Sequence, residues 1–194
     1  MIHGLAGQMR NFAAVVPLLA AGHRVILIDR PGSGHSPGRG NDSITDQAGI
    51  IADLVAQLGL DRPLIVGHSL GGAVSMALAL NHADRIAGLA LVAPLTQVQA
   101  EIPAAFRGLM IAKPMARAVI ANTLAIPMMR LRSAQSREVL FAPEPVHPAF
   151  DIDYGGAMLA RPRAFYAASS EVVAVNVTVA ALPAHYGEVA LPVR

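Results

Sequence analysis

The sequence predicts an α/β fold in which a parallel sheet carries helices on both faces. Three short apolar runs rich in β-branched residues, at positions 24–29, 64–66 and 86–92, are typical of buried parallel strands. Between the first two lies a segment, 46–58, whose apolar residues recur at the i, i+3 and i+4 spacing of an amphipathic helix. Strands that alternate with helices pair in parallel, because each helix returns the chain to the same end of the sheet.

The remaining elements follow from the same patterns. Further helices are expected at 11–21, where Pro17 limits the regularity, and at 70–81. After Pro94 the alternation stops, and helical stretches at 104–131 and 161–181 flank a proline-rich loop at 141–148. Residues 1–2 resemble the end of a strand, and residues 191–194 resemble the beginning of another. We therefore expect an incomplete α/β core at 1–94, an all-helical cap at 95–185 and the start of the next core strand at 186–194, in a chain cut at both edges of the sheet.

Composition excludes several classes of protein. The 194 residues are 54% hydrophobic and 14% charged, which is the opposite of a disordered chain. A net charge of +2 is too small for nucleic-acid binding, and the absence of cysteine excludes disulfides and thiolate chemistry. Polar residues and prolines interrupt the apolar stretches too early for a membrane span, and no signal peptide is recognisable. We expect a cytoplasmic protein; its oligomeric state is open.

Residues 67–72 carry the clearest chemical signature. They read G-x-S-x-G between a predicted strand and a predicted helix, which is the setting of a nucleophilic serine. A serine on so sharp a turn leaves no room for side chains two residues away, which explains Gly67 and Gly71. The positive end of the following helix would face a developing oxyanion. The pattern predicts Ser69 as a nucleophile; the alternative is a glycine-rich turn with an incidental serine.

A second glycine-containing turn lies upstream, at His3-Gly4-Leu5-Ala6-Gly7. A tight turn at the end of a strand can aim a peptide N–H at the nucleophile, so we expect Leu5 to complete an oxyanion hole with Leu70. Taken alone, this turn would be an ordinary glycine-rich loop. The supporting residues of the two motifs are expected to be His3, Gly4, Gly67, His68 and Gly71. His68 and His35 are expected to support the site through hydrogen bonds.

Together these motifs resemble the α/β-hydrolase superfamily. The resemblance rests on His3-Gly4-Leu5, on Asp29-Arg30-Pro31-Gly32-Ser33-Gly34-His35-Ser36 and on Gly67-His68-Ser69-Leu70-Gly71-Gly72, and it covers residues 1 to about 94. It implies Ser69 as the nucleophile and the peptide N–H groups of Leu5 and Leu70 as the oxyanion donors. A serine at this position, rather than an aspartate, argues against the dehalogenase and epoxide-hydrolase branches, which attack with a carboxylate.

The resemblance also implies an acid and a histidine, in that order after the serine. Both would follow strands that lie beyond Arg194. Candidates inside the chain are weak: His82 is placed at the far end of the helix after Ser69, where a helix-end cation is the better interpretation. The others are expected to be surface or solvated loop residues, namely His147, His185, Asp151 and Asp153.

Methionines cluster in one part of the predicted cap. Met110, Met115, Met128 and Met129 are half of the eight in the chain. They are expected to be mainly packing residues, although some would also line an apolar substrate pocket.

The predicted function is that of a serine hydrolase, specifically a carboxylic-ester hydrolase that acts through an acyl-enzyme on a small or medium apolar ester. It would need neither a metal nor an organic cofactor. The same constellation serves carbon–carbon hydrolases and cofactor-free haloperoxidases, and these remain alternatives. A non-catalytic binding scaffold is another. The last alternative is that the chain is unstable, or that it associates through its unpaired strand edges.

Overall fold

The centre of the molecule is a small parallel sheet. The computed structural model describes residues 1–38 and 43–194. Strands β1 (Leu64–His68) and β2 (Gly88–Val92) pair in parallel, with Ile65 opposite Leu89. Single parallel bridges extend the sheet on both sides: Ile2 joins Ile28 and Gly67, and Val193 joins Leu89. The prediction of a parallel sheet combined with helices is confirmed.

The strand predicted at 24–29 is wrong in extent, because this segment contributes the single bridge at Ile28. A strand forms against a partner of similar length, and the neighbouring segment offers Met1 and Ile2 alone. The Met1 amine donates to Ile26 O at 2.7 Å, and Ile28 N donates to Met1 O at 3.4 Å. The segment predicted at 191–194 runs along β2 in the same way, through one bridge at Val193.

The helices of the first hundred residues agree with the sequence patterns in most places. Helix α2 (Ile44–Gln57) begins with a capping box formed by Ser43 and Asp46. Helix α3 (Leu70–Asn81) has the predicted bounds, and a 3₁₀ turn follows at Ala83–Arg85. The single helix predicted at 11–21 is instead a 3₁₀ turn, Met9–Phe12, and a short helix α1 (Val16–Ala20). Pro17 lies in the first turn of α1, where its missing N–H is tolerated.

The main core lies around α3. Ten consecutive residues of this helix, from Leu70 to Ala79, are buried. They pack with apolar residues of α2, with Ile2, Ile65 and Leu89 of the sheet, and with Val175 and Val179 from the second half of the chain. A helix this apolar on all sides must be covered all round, which explains why the sequence surrounding Ser69 has so little polar character.

Most of the second half of the chain is helical. It contains a 3₁₀ turn at Ala104–Leu109, helices α4 (Pro114–Asn122), α5 (Ala125–Phe141) and α6 (Pro162–Ala180), and 3₁₀ turns at Gly156–Leu159 and Pro183–Glu188. The stretch predicted at 104–131 is therefore three elements, because Pro114 starts a new helix and Thr123, the residue that follows α4, leaves the helical conformation. Helix α5 ends at the predicted proline-rich loop. We call residues 104–180 the helical region.

Within the part of the chain that the structure describes, no helix is long and apolar enough to cross a membrane. The cytoplasmic location stays a prediction.

Candidate active site

Ser69 occupies the turn between β1 and α3 in a strained backbone conformation. Its φ of 51° and ψ of −120° lie where side chains other than glycine are rarely found. Hydrogen bonds hold it there: Ser69 N donates to Val92 O at 3.1 Å, and Ser69 O accepts from Gly72 N at 2.8 Å and from Leu95 N at 2.9 Å. Three backbone hydrogen bonds thus hold the turn in this conformation. Backbone strain of this kind is common at functional sites.

The glycines around Ser69 lie where the backbone comes closest to its neighbours. A Cβ atom on Gly71 would collide with Ile2 O and lie 2.6 Å from His3 O. One on Gly67 would collide with Ser75 Oγ and lie 2.7 Å from Gly71 O. Because side chains cannot occupy these positions, the helix packs directly on the strand and the turn remains sharp.

The loop after Ile2 reaches the serine itself. A Cβ atom on Gly4 would lie 2.9 Å from Ser69 Cβ and 3.2 Å from His68 Nδ1. The peptide N–H of Leu5 has no hydrogen-bond partner among the described residues. The N–H of Leu70 is at the first position of α3, where a helix leaves its N–H groups without an intrahelical acceptor. Two uncommitted backbone donors therefore belong to segments that meet at Ser69. We call residues 3–7 the oxyanion loop, after the role that we propose for them below.

His3 is a structural part of the oxyanion loop. Its Nε2 accepts a hydrogen bond from Arg30 N at 3.0 Å, so the proton of the neutral ring lies on Nδ1, which donates to Gly4 O at 2.9 Å. Burial, followed by the nearby charge of Arg30, lowers the pKa of His3 well below its ordinary value. Both ring nitrogens are occupied, so His3 shapes the loop and is not free to act as a base.

The side chains of His68 and His35 do not make the expected hydrogen bonds with any described residue. His68 is exposed beside Ser69, and desolvation of its inner part lowers its pKa. His35 is exposed as well, and its contribution is a backbone N–H that donates to Asp29 Oδ2 at 2.9 Å. The prediction failed because it assumed that neighbours in sequence would turn their side chains toward the site.

Within residues 1–38 and 43–194, no histidine is hydrogen-bonded to Ser69. His82 ends α3, about 18 Å from its start at about 1.5 Å per residue. His147 stacks edge-on against Tyr154 at 5.0 Å, and His185 pairs with Glu188 at 2.7 Å.

Among the described residues, neither candidate acid is hydrogen-bonded to Ser69 or to a histidine. Asp151 lies in a turn with its side chain 46% exposed, as expected of a loop residue in contact with solvent, and it forms a bidentate pair with Arg137, at 2.7 and 2.9 Å. Asp153 is exposed, as expected of a loop residue.

A cavity of about 620 Å³ lies between the oxyanion loop and the helical region. Its walls include Ala6 and Gly7 from the loop, and Met128, Met129 and Phe165 from the helices; Ser69 does not line it. Hydrogen bonds connect the first part of the chain with the helical region beside the cavity: among them, Gln8 Nε2 donates to Tyr154 O at 2.7 Å, and Arg163 Nη2 donates to Gly34 O at 2.8 Å. The space is well suited to an apolar group.

The prediction that the four methionines are mainly packing residues is wrong for Met110, Met115 and Met128, which are exposed. Met128 and Met129 line the cavity, whereas Met110 and Met115 do not, and Met115 is 79% exposed. Met158 also lines the cavity. The sequence analysis missed it because it lies in a short 3₁₀ turn, outside any helical pattern.

The sequence analysis also missed a buried polar cluster formed by Arg30, Gln47 and Glu171. Arg30 belongs to a motif that the analysis quoted, but no role was assigned to it. The available signal was its position in the sequence, between an apolar strand-like segment and a proline.

The comparisons with known proteins identify the family. The model of the alpha/beta hydrolase fold family matches residues 1–173, so the chain belongs to this family. A thermophilic esterase from Thermogutta terrifontis superimposes with a TM-score of 0.71 at 21% identity, over 98% of this chain and 67% of the esterase. At that identity the similarity shows the fold.

Two curated relatives align with about half of the chain. A pyrethroid hydrolase from Sphingobium wenxiniae is 40% identical over 94 residues, which are 46% of this chain and 32% of the relative. The dihydrolipoyllysine-residue acetyltransferase component of the acetoin cleaving system from Cupriavidus necator is 34% identical over 95 residues, 48% of this chain and 25% of the relative. The alignments thus span between a quarter and a third of these two relatives.

Proposed function

We propose that the chain carries the nucleophile and the oxyanion hole of a serine hydrolase that cleaves small or medium apolar carboxylic esters. The observation that supports this most directly is the strained turn of Ser69 against Gly4, with the uncommitted N–H groups of Leu5 and Leu70 in the two segments that meet there. The apolar cavity between the oxyanion loop and the helical region, acting as a cap, would hold the acyl or alcohol group of the ester.

In the proposed reaction, Ser69 Oγ attacks the ester carbonyl carbon and transfers its proton to a base. The carbonyl oxygen becomes an oxyanion, which accepts hydrogen bonds from the N–H groups of Leu5 and Leu70. The tetrahedral intermediate collapses, and the alcohol leaves with the proton. Water then attacks the acyl-enzyme in the same way and releases the carboxylic acid.

The base and its orienting carboxylate are the parts that the described residues do not supply. We propose that they follow the strand that begins near Leu191, as in the order of residues that the family resemblance implies. The Thermogutta esterase has additional chain outside its alignment with these residues, which cover 67% of it.

The test is hydrolysis of p-nitrophenyl butyrate by the complete protein, expressed from its whole reading frame, compared with Ser69→Ala. We expect kcat to fall by about 10⁴-fold or more in the variant, because a serine hydrolase without its nucleophile keeps little beyond substrate binding. The matched control is Thr123→Ala at the end of α4, which removes an exposed hydroxyl that bonds to Val119 O, lies outside the cavity and should retain full activity.

The possible outcomes separate the alternatives. A folded protein that hydrolyses no ester, lactone or carbon–carbon substrate would favour a non-catalytic binding scaffold. Ester hydrolysis that survives Ser69→Ala would contradict the assignment of the nucleophile. Cleavage of a carbon–carbon substrate in preference to esters would retain Ser69 and change the reaction.

A further inference from the structure

Arg30 is a large charged side chain beside the oxyanion loop, with 1% of its surface exposed. A guanidinium group has five N–H donors. Nε donates to His3 O at 2.9 Å, Nη2 to Gly4 O at 2.8 Å and to Glu171 Oε2 at 3.1 Å, and Nη1 to Gln47 Oε1 at 2.9 Å and to Glu171 Oε1. The structure therefore provides five acceptors for the five donors.

One of these acceptors, the carbonyl oxygen of Gly4, controls the direction of the proposed oxyanion donor. The carbonyl of Gly4 and the N–H of Leu5 belong to one peptide unit, and in a trans peptide they point in opposite directions within one plane. Arg30 Nη2 and the His3 ring both bind Gly4 O, at 2.8 and 2.9 Å. Holding this oxygen fixes the plane of the peptide, and therefore fixes the direction of the Leu5 N–H.

Glu171 is the counterion of Arg30 and comes from a distant part of the chain. It lies on α6, in the helical region, 141 residues after its partner, and the two side chains are 3% and 0% exposed. A charge this deeply buried must be paired, because its desolvation is otherwise very costly. The helical region thus supplies the anion that keeps Arg30 in place against the oxyanion loop.

We propose that Arg30 and Glu171 are positioning residues for catalysis: Arg30 orients the Gly4–Leu5 peptide, and Glu171 makes that orientation depend on the placement of α6. This inference rests on the proposed function, in which the Leu5 N–H binds the oxyanion. It adds a mechanical connection between the helices that border the substrate cavity and the backbone group that stabilises the transition state.

The test compares Glu171→Gln with Ser170→Ala in the complete protein. Ser170 is the preceding residue of α6, equally buried, and its hydroxyl accepts a hydrogen bond from Arg117 Nη1 at 2.6 Å within the helical region. Both variants lose one buried polar interaction of α6. Glu171→Gln disturbs the support of the oxyanion loop, and Ser170→Ala does not.

We expect Glu171→Gln to lower kcat about 10- to 100-fold, since loss of a whole oxyanion donor costs about 10²- to 10³-fold and this donor would be misaligned rather than removed. KM should change less than about twofold, because the contact acts in the transition state. The dissociation constant of an alkyl boronic acid, whose serine adduct carries the oxyanion, should rise by the same factor as kcat/KM falls. Ser170→Ala should leave all three values within about twofold.

A second measurement does not depend on activity. Gly7 N donates to Gly4 O at 3.1 Å inside the oxyanion loop, so hydrogen–deuterium exchange at Gly7 reports on the order of this loop. Exchange at Gly7 should become faster in Glu171→Gln and remain unchanged in Ser170→Ala.

Parental kcat and boronic acid affinity in a folded Glu171→Gln variant would overturn the inference, as would equal losses in both variants. If Glu171→Gln does not fold, Arg30→Lys replaces it, because lysine keeps the positive charge but cannot reproduce the planar fork. The same kcat loss without a KM change is then expected, and parental kcat would again overturn the inference. Failure of the proposed function would be recognised separately, by activity that survives Ser69→Ala.

Discussion

The turn around Ser69 and the helical region differ in what holds them in place. Ten of the twelve residues of α3 are buried, and its glycines approach backbone atoms so closely that a single Cβ would collide. In α5, which the structure describes in full, Ala125 alone of seventeen residues is buried. The helices there are joined by polar contacts such as Arg117 with Ser170, and α5 is joined to the following loop by Arg137 with Asp151. Steric exclusion fixes the turn at Ser69, whereas a smaller apolar cluster and a few directional bonds place the helices that border the cavity.

Because of this difference, replacing glycine by alanine should destabilise the protein near Ser69 but not in the helical region. Gly71→Ala should destabilise the protein by about 3 kcal/mol or more, because its Cβ meets the backbone carbonyls of Ile2 and His3, which cannot move aside. Gly108→Ala in the helical region should change stability by less than about 0.5 kcal/mol, since nothing lies within 4 Å of its Cβ position. Urea unfolding of both variants measures the two values. Similar losses at the two positions would contradict the comparison.

Acid should destabilise the protein through His3. The folded protein keeps this ring neutral, since burial lowers its pKa, while the unfolded chain takes up a proton near pH 6.5. Stability should therefore fall as the pH drops below 6.5, with a slope of at most about 1.4 kcal/mol per pH unit.

His3→Gln is the control for this pH dependence, because an amide both donates and accepts but does not titrate. Unfolding free energies between pH 7 and 5 should show a smaller slope in this variant, and His68, whose pKa is also lowered, accounts for part of the remainder. A slope equal to that of the parent would show that His3 is not the responsible group.

Glycine should have opposite effects in the two regions when it replaces serine. Ser69→Gly removes the strain of a φ of 51° and should raise stability by about 1 kcal/mol, at the cost of activity. Ser136→Gly, at an exposed position of α5, should lower stability by about 0.5 kcal/mol, because glycine is a poor helix former. Thermal unfolding at a fixed pH compares the two signs, and destabilisation by Ser69→Gly would refute the strain at the turn.

The smallest expected effect concerns substrate length. Met129→Trp should fill part of the cavity and raise KM for a p-nitrophenyl octanoate about fivefold while leaving KM for the acetate unchanged, a difference of about 1 kcal/mol. Met115→Trp is the matched control on the exposed side of the helical region. Equal behaviour of the two variants would show that the cavity does not hold the acyl chain.

The sequence predicted the region around Ser69 well because its structure is local. The turn at Ser69 requires glycine at positions 67 and 71, so the whole pattern lies within five residues. Helix α3 has the bounds that the pattern predicts. The strand at 24–29 was mispredicted because strand formation depends on a partner segment far away in sequence. Arg30 and Glu171 were missed for a similar reason: each resembles a surface charge until the fold brings together residues 141 positions apart.

In the helical region, the sequence predicted helices but not their function. Met115 and Met129 are the same residue type and lie in the same predicted helical stretch. Met115 is nevertheless exposed, whereas Met129 lines the cavity. The orientation of a weakly amphipathic helix is decided by its tertiary contacts, which a single sequence does not reveal.

The most direct test of the account is to label the complete, folded protein with a fluorophosphonate and to locate the label by peptide mass spectrometry. Ser69 should carry the label, because among the serines that the structure describes it alone combines a strained, partly exposed turn with two uncommitted backbone donors, proposed to bind the phosphoryl oxygen, in the adjoining segments. Labelling should disappear in Ser69→Ala and become slower in Glu171→Gln. A label on another serine, or no label on a protein that is demonstrably folded and carries its whole reading frame, would contradict the assignment of Ser69 as an activated nucleophile.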